Sequence, residues 1–270
     1  MLTDQEFTRI ATFLKGKYGI DMTDKKIIMN GRMENFVASH GYSGFTEFMN
    51  ALDVDQTGEL EKNLVNMLTT NHTFFMRESE HFDFLKKQVV PWIKELEADT
   101  KDMRVWCGAA STGEEPYALA LTLVDALGFE APGWDSTILA TDISESALST
   151  AIRGVYEGEQ LDVLPEHWKR RYFKPVAGTT SYEATKELKD LVTYRKFNLM
   201  NPFPFRKPMH VIFLRNVMIY FDEPTKNKLV EKVYESLVPG GYLFVGRTET
   251  INRSNTDFEM IQPSIFRKPV

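Results

Sequence analysis

The sequence predicts an α/β protein in which an all-helical amino-terminal domain precedes a domain built on a mainly parallel sheet. Three patterns support this prediction. Apolar residues recur at helical spacing through about the first 100 residues. Short apolar runs then alternate with helical segments, a pattern typical of parallel strands joined by helices. Residues 171–197 interrupt this alternation, because they contain no clear helix of full length, and we interpret them as a small antiparallel β insertion.

The helices of the first domain follow from spacing and end signals. Phe7, Ile10 and Leu14 share one helical face, and Thr3 with Glu6 makes a plausible capping box ahead of them. Proline lacks the N–H that a helix needs, so Pro91 is expected to kink or break the last helix of this region. The further helices are predicted after Thr23, around Phe45–Leu52, over Gly58–Leu68 and around Phe82–Glu97.

Apolar runs bounded by glycine or polar residues mark the elements of the larger domain. The predicted strands are Met103–Gly108, Thr137–Thr141, Val192–Phe197, His210–Leu214, Tyr242–Val245 and the closing strands within Phe258–Phe266. The predicted helices are Glu114–Leu127, a helix capped by Ser144 and running through Tyr156, and Glu223–Leu237. In the insertion, Tyr172–Val176 and Ser181–Thr185 are expected to pair around a turn.

Composition and charge narrow the classes of function. Hydrophobic residues make up 43% of the 270 residues and charged residues 26%, which is ordinary for a soluble globular protein. The net charge of −6 argues against nonspecific nucleic-acid binding, because no overall excess of cations can neutralise phosphates. The single cysteine, Cys107, excludes an intrachain disulfide and a cysteine-based zinc site. No segment looks like a signal peptide or a membrane helix, so we expect a cytoplasmic location without membrane insertion.

The loop after the first strand, Gly108–Gly113, matches the spacing G-x-x-x-x-G. In a phosphate-binding P-loop the next residues would be lysine and serine or threonine, whereas here they are Glu114 and Glu115. Two carboxylates would repel a triphosphate, which excludes an NTPase and favours a cationic ligand such as S-adenosylmethionine. The same glutamates would also complement the positive end of the helix macrodipole, so the pair alone leaves both interpretations open.

Asp142 ends the second strand, where an acid in a dinucleotide-type fold hydrogen-bonds ribose hydroxyls. A lone aspartate is more often a turn or capping residue, but the preceding glycine loop and helix favour the ribose role. NAD would use the same geometry. Gly108–Gly113 lacks the G-x-G-x-x-G pattern, however, and Glu114 and Glu115 would repel a pyrophosphate. S-adenosylmethionine therefore explains these residues better than NAD.

Five segments carry specific residue patterns in order along nearly the whole chain: Thr70–Glu78, Ala110–Tyr117, Ala140–Ile143, Phe197–Leu199 and Leu214–Asp222. Together they resemble the motif set of the CheR-type chemotaxis receptor methyltransferases, which are glutamate O-methyltransferases. The resemblance implies an all-α domain over residues 1–78. It also implies a Rossmann-like S-adenosylmethionine methyltransferase domain over residues 79–270, with residues 171–197 as a small inserted β subdomain.

Carried over motif by motif, the resemblance implies a cofactor site and two catalytic candidates. Arg77 and Tyr220 are expected near the transferred methyl group. One of Glu114 and Glu115 should contact the methionine end of the cofactor, and Asp142 should bind its ribose. No metal is expected. The implied cofactor-binding residues are Asn71, Thr73, Arg77, Glu114, Glu115, Asp142, Asn198, Leu199, Arg215 and Asn216.

The implied reaction transfers a methyl group from S-adenosylmethionine to a glutamate carboxylate and leaves S-adenosylhomocysteine. A glutamate has a reference pKa near ~4.3 and is ionised at neutral pH, so no general base is required. Arg77 is expected to hold the substrate carboxylate. Tyr220 is expected either to orient a reactant or to stack in the pocket wall. His72 is expected to serve packing or local hydrogen bonding, and Cys107 is expected to be a small buried residue with no chemical role.

The expected partner is the cytoplasmic helical region of methyl-accepting chemotaxis receptors, which would recruit the protein to membrane-bound receptor arrays. In related proteins the second helix is often richer in arginine and is thought to face these receptor helices. Here Ile27–Asn30 lie among Lys25, Lys26 and Arg32, so the docking surface is expected to be reduced or moved. Members that bind a receptor pentapeptide carry a more glycine-rich loop than the insertion, which has only Gly178. We therefore expect a pentapeptide-independent monomer.

Three other functions compete with this one. A methyltransferase of the same fold acting on a small carboxylate is the nearest rival, and the helical domain and the β insertion favour a protein substrate over it. A sensor that binds the cofactor without turnover would have no need of Arg77 and Tyr220. A nucleic-acid methyltransferase is disfavoured by the net charge and by the lack of an Asn-Pro-Pro-Tyr-like segment after the fourth strand.

Overall fold

The structure, a computed structural model, describes all 270 residues and contains eleven α-helices and ten β-strands. The helices are α1 Asp4–Tyr18, α2 Lys26–Ser39, α3 Phe45–Val54, α4 Glu59–Leu68, α5 Glu80–Phe84, α6 Val90–Leu96, α7 Glu114–Leu127, α8 Glu145–Arg153, α9 Glu166–Tyr172, α10 Lys186–Lys189 and α11 Glu223–Ser236. The strands are β1 Val105–Cys107, β2 Ile138–Asp142, β3 Val155–Glu157, β4 Phe173–Pro175, β5 Ser181–Ala184, β6 Val192–Lys196, β7 Met209–Leu214, β8 Leu237–Val245, β9 Glu259–Gln262 and β10 Ile265–Arg267. None of the helices has the length and apolar character needed to cross a membrane.

Seven strands form one mixed sheet in the order β6-β2-β1-β7-β8-β10-β9. The five strands from β6 to β8 run parallel to their neighbours. β10 then pairs antiparallel with β8, and β9 pairs antiparallel with β10. The strand order reverses between β1 and β7, so the connections after these two strands diverge and leave a crevice at the carboxyl edge of the sheet. The predicted α/β fold with a mainly parallel sheet is confirmed.

The sheet is buried on both faces because its strand residues alternate between two hydrophobic cores. Val105 and Cys107 belong to the core that contains α5, α6 and α7, whereas Trp106 between them belongs to the core that contains α11 and helices α1 to α4. Burying one large apolar side chain contributes about 1.5–3 kcal/mol, so both layers stabilise the sheet substantially. The amino-terminal helices are therefore part of the layer that covers the sheet.

The amino-terminal helices also contact the connection after β7. α1 begins with the predicted capping box, in which Thr3 and Glu6 bond each other's backbone N–H. Beyond its end, the Asp21 N–H donates to the Tyr220 carbonyl at 2.8 Å. Within α1, Lys15 Nζ lies 2.8 Å from an Asp222 carboxylate oxygen. These contacts tie the helical domain to the segment that carries one of the predicted catalytic residues.

Pro91 was predicted to kink or break the last helix of this region, and the chain stays helical through it, with a π-helical segment just before the proline. α5 runs into a π-helical segment, Leu85–Val89, and α6 begins at Val90. Proline donates no backbone hydrogen bond, and its ring crowds the carbonyl four residues earlier. A wider turn just before it relieves both problems. The helix continues because Leu85, Val89 and Val90 are buried in the core.

A small antiparallel sheet is present, but its predicted range of 171–197 is wrong at both ends. Its strand order is β3-β5-β4, so β3 supplies an edge strand well before residue 171. At the other end, β6 pairs parallel with β2 in the main sheet. β3 was not predicted because its first two residues were assigned to a helix running through Tyr156. α8 in fact ends at Arg153, and Gly154 turns the chain in a left-handed conformation.

Gly113 makes the closest backbone approach between the glycine loop and α8. Its φ is +100°, and an added Cβ would lie 2.7 Å from Tyr156 Oη and 2.9 Å from Ala151 Cα. α7 begins at the next residue. The absence of a side chain at Gly113 therefore sets how closely the start of α7 packs on α8.

Gly113→Ala is expected to lower the free energy of unfolding by about 2 kcal/mol or more, because the added carbon meets backbone atoms at an unfavourable φ. Urea denaturation measures this loss. Gly16→Ala is the matched control, since Gly16 lies inside α1 with nothing within 4 Å of an added Cβ. That change should stabilise the protein by about 0.5–1 kcal/mol. An unchanged free energy for Gly113→Ala would mean that the contact with α8 imposes no constraint.

Candidate active site

A cleft of about 920 Å³ opens at the carboxyl edge of the sheet, where β1 and β7 diverge. Its wall comes from the glycine loop, the ends of β2, β6 and β7, the segment 68–77 and the residues around the end of α1. Open α/β sheets bind their ligands at this edge, where the strand order reverses. Every predicted site residue except Glu114 lines the cleft.

The glycine loop crosses the base of the cleft as a tight turn. The Gly108 N–H donates to the Phe213 carbonyl and the Ala110 N–H to the Thr141 carbonyl, each at 2.8 Å. Ser111 has a φ of +47°, a left-handed value that is uncommon outside glycine. Because these backbone amides are used within the protein, the loop offers a ligand close approach rather than a set of free N–H donors.

Asp142 is buried at the end of β2, with its side chain at the cleft wall. Its two carboxylate oxygens accept the N–H groups of Ser111 and Ser144, each at 2.8 Å. Burial raises the pKa of Asp142, and these amide donors oppose that rise. A carboxylate oxygen has more than one acceptor site, so Asp142 can still accept a hydrogen bond from a hydroxyl group in the cleft.

Arg215 directly follows β7 and lies buried between two carboxylates. Its Nη1 is 2.7 Å from Glu115 Oε2, and its Nη2 is 3.3 Å from Glu78 Oε2. Nη2 also donates to the Arg77 carbonyl. Burial raises the pKa of Glu115, and the neighbouring guanidinium opposes that rise. One buried cation thus links the end of β7, the first turn of α7 and the segment before α5.

The two glutamates of the predicted pair point to different places. Glu115 lines the cleft, and its second oxygen accepts the Cys107 thiol at 3.2 Å. Glu114 is buried outside the cleft, where Thr112 Oγ1 donates to it at 2.6 Å and Gln160 Nε2 lies 3.5 Å away. Successive residues of a helix project about 100° apart, so adjacent side chains point in different directions. Of these two glutamates, only Glu115 lines the cleft.

Arg77 lies half-buried in the cleft wall and forms no ion pair. Its Nη1 donates to the His72 carbonyl at 3.1 Å, and its guanidinium carbon lies 5.7 Å from the centre of the Phe74 ring. Across the cleft opening, the Tyr220 hydroxyl donates to the Thr70 carbonyl at 3.3 Å. Asn71 and Thr73 lie in the same segment as Arg77 and line the cleft. The predicted catalytic candidates therefore share one cleft.

Asn198 and Leu199 follow β6 and form another part of the wall. Asn198 Nδ2 donates to the Lys17 carbonyl at 2.8 Å, and its Oδ1 accepts the Met200 N–H at 2.9 Å. Both polar atoms of this side chain thus hold the loop in place. Leu199 is buried and, together with Ile143 and Phe197, makes this wall apolar.

Glu249 is the clearest structural residue that the sequence prediction missed. It is buried beside the β7 connection and accepts the Asn216 N–H at 2.7 Å. The sequence feature that could have indicated this role is an acidic residue shortly after the apolar end of β8, within Gly246–Glu249. Ser111, Ile143, Tyr18 and Ile20 line the cleft and were also not predicted as site residues. The structure contains no group of three His, Cys, Asp or Glu side chains able to hold a metal ion.

Two family models match the chain over nearly its whole length. Residues 5–69 match the all-alpha domain of CheR methyltransferases, and residues 71–266 match the CheR methyltransferase SAM binding domain. The protein belongs to the CheR methyltransferase family. It is therefore an S-adenosylmethionine-dependent methyltransferase with an all-α amino-terminal domain, as predicted.

Curated relatives agree with the family models. A chemotaxis protein methyltransferase of Borreliella burgdorferi is 36% identical over 272 residues, which cover 99% of this chain and 95% of that protein. A chemotaxis protein methyltransferase of Escherichia coli is 34% identical over 272 residues, which cover 98% of this chain and 91% of that protein. The cleft suits the family's cofactor, since the carboxylates of Glu115 and Asp142 complement its cationic and hydroxyl groups.

Arg215→Met is expected to lower the free energy of unfolding by about 3–5 kcal/mol at about pH 8, because Glu115 and Glu78 lose the cation between them. This loss should shrink toward about pH 5. Burial already raises the pKa of Glu115 above its unfolded value, and loss of the opposing Arg215 should raise it further. Glu115 would then add stability at low pH that disappears as the pH rises through its folded-state pKa. Urea unfolding at the two pH values measures the difference.

Arg215→Met combined with Glu115→Gln is the control, because it removes an uncompensated carboxylate along with the cation. The double variant should regain part of the lost stability and show a weaker dependence on pH. An equal loss at both pH values in the single variant would contradict a charge-pairing role for Arg215.

Proposed function

We propose that this methyltransferase transfers the methyl group of S-adenosylmethionine to glutamate side chains of chemotaxis receptors, forming methyl esters that serve sensory adaptation. The names of the relatives in Borreliella burgdorferi and Escherichia coli support the receptor as substrate. The observation that carries the choice of a carboxylate is Arg77, a cation in the cleft wall with no acidic partner. A guanidinium in this state is suited to receive a substrate carboxylate.

The proposed cofactor site uses the residues that line the cleft. Glu115 is proposed to receive the ammonium of the methionine end, since Glu114 points elsewhere. Asp142 is proposed to accept a ribose hydroxyl, and Asn198 with Leu199 to flank the adenine. Asn71, Thr73, Arg215 and Asn216 complete this site.

The bound cofactor supplies a methyl group on a positively charged sulfur, which is an electrophile toward a carboxylate oxygen. A glutamate is ionised at neutral pH and needs no general base. The protein's contribution is then to hold the carboxylate and to exclude water. Positioning of this kind can supply several kcal/mol of rate acceleration. Arg77 is proposed to hold the carboxylate, and Tyr220 to orient one of the reactants at the cleft opening.

Helix α2, which is thought to face receptor helices in related proteins, offers few free cations. Arg32 Nη1 donates to the Leu68 carbonyl at 3.0 Å, and Lys26 Nζ lies 2.6 Å from an Asp4 oxygen. Ile27 is instead 89% exposed. These contacts support the proposal that the receptor-docking surface is reduced in charge.

Two further features of the interaction are proposals. The turn between β4 and β5 contains a single glycine, Gly178, which supports docking that does not depend on a receptor pentapeptide. We propose that the protein acts as a monomer at the cytoplasmic face of receptor arrays. Residues 1–78 and 79–270 are proposed as its two domains.

The proposed function is tested by transferring labelled methyl from S-adenosylmethionine to receptor-containing membranes. Methyl esters hydrolyse in base, whereas N-methyl groups remain attached, so the readout is alkali-released volatile methanol. Labelled methanol from a receptor-sized band is the expected result. No label on the receptor, in a sample with measured cofactor binding, would refute the proposal and favour a small carboxylate substrate or a sensor without turnover.

Arg77→Ala is expected to reduce mainly the rate of methyl transfer, and Asp142→Ala mainly the affinity for the cofactor product. Losing a charge-assisted hydrogen bond costs about 1.5–3 kcal/mol. Arg77→Ala should therefore slow methyl transfer by about 10-fold or more and change the affinity for S-adenosylhomocysteine little. Asp142→Ala should weaken that affinity by a similar factor. The methanol assay measures the rate of methyl transfer, and calorimetric titration measures the affinity for S-adenosylhomocysteine. Thermal unfolding checks that each variant is folded. Equal losses of rate and affinity in Arg77→Ala would exclude a substrate-holding role.

A further inference from the structure

Glu249 connects the chain segments that follow β7 and β8 through backbone amides. Its carboxylate accepts the Gly246 N–H at 2.6 Å, the Asn216 N–H at 2.7 Å and the Ile219 N–H at 3.2 Å. The side chain is only 6% exposed and forms no ion pair. Burial raises the pKa of Glu249, and the amide donors oppose that rise. These donors are thus the groups that stabilise its charge.

The amides that Glu249 binds belong to an unusual stretch of backbone. Asn216 has a φ of +56°, in the left-handed region, and a short 3-10 turn, Met218–Tyr220, follows it. The Ile219 N–H, one of the donors, lies within that turn. At Gly246, an added Cβ would lie 2.8 Å from Glu249 Oε2, so the β8 segment approaches the carboxylate as closely as a glycine allows.

The segment held by Glu249 carries four residues that line the cleft. Arg215, Asn216 and Val217 precede the 3-10 turn, and Tyr220 ends it. Glu249 itself is absent from the cleft wall. The two amides of this segment that bind Glu249 belong to Asn216 and Ile219, which lie on either side of Val217. Residues 215–220 are therefore the segment through which Glu249 contacts cleft-lining residues directly.

We propose that Glu249 is a positioning residue for methyl transfer, which holds residues 215–220 so that Asn216 and Tyr220 keep their places in the cleft. This inference rests on the roles proposed above for Asn216 and Tyr220. Glu249 touches neither the cofactor nor the substrate. It acts as a fixed acceptor for amides of the connections that follow β7 and β8.

Amide hydrogen exchange in Glu249→Gln tests the positioning role without any use of enzyme activity. The amides of Asn216, Ile219 and Gly246 should exchange about 10-fold faster than in the wild type, because a glutamine lacks one acceptor and binds amides less strongly. Exchange elsewhere should be unchanged. Glu259→Gln is the matched control, since Glu259 is exposed on β9, and it should leave these amides as they are. Unchanged exchange in Glu249→Gln, or faster exchange throughout the chain, would overturn the proposal.

Methyl transfer in a double-mutant cycle with Tyr220→Ala supplies the second readout. Glu249→Gln should slow transfer by about 10-fold in the wild-type background and by much less when Tyr220 is absent, because coupled residues are not additive. Equal losses in both backgrounds would overturn the proposal. If Glu249→Gln does not fold, Glu249→Asp, which keeps the charge, takes its place in both experiments. A wild type that labels no receptor would refute the proposed function, whereas the exchange result would still decide the role of Glu249.

Discussion

The buried guanidinium of Arg215 is the interaction on which the architecture of the cleft depends. It binds Glu115 at the start of α7, Glu78 before α5 and the carbonyl of Arg77, while its own backbone directly follows β7. An uncompensated charge in a protein interior costs several kcal/mol, so these three parts of the chain are held together as one unit. The cleft therefore takes its shape from a charge network as well as from the sheet.

The two arginines of the site differ in what surrounds them. Arg215 is enclosed by carboxylates, whereas Arg77 lies in the wall without an ion pair, bonded to a carbonyl and stacked near an aromatic ring. This contrast underlies the proposed division between a structural cation and a substrate-holding cation. The amino-terminal domain contributes directly, because Tyr18 and Ile20 line the same cleft and Asp21 binds the backbone of Tyr220. A helical domain that shares a core with the sheet thus becomes part of the site.

Local signals predicted most elements correctly, and long-range pairing explains the failures. α7 was predicted over Glu114–Leu127 and occupies those residues, because its glycine boundary and apolar spacing are local. β3 was missed since a strand of three residues has no period of its own, and its partner β5 lies more than 20 residues later. Glu249 was missed for a similar reason. The amide of Asn216 that it binds is 33 residues away in sequence.

By itself, the sequence determined the helical domain, the order of the main-sheet strands along the chain, and the likeness to CheR methyltransferases. These features depend on residue patterns that are contiguous along the chain. Only the tertiary structure decided that Glu115 rather than Glu114 faces the cleft, that Arg215 is paired while Arg77 is not, and that Glu249 anchors the β7 connection. Side-chain direction and charge pairing depend on which distant segments the fold brings together, and no local pattern encodes that.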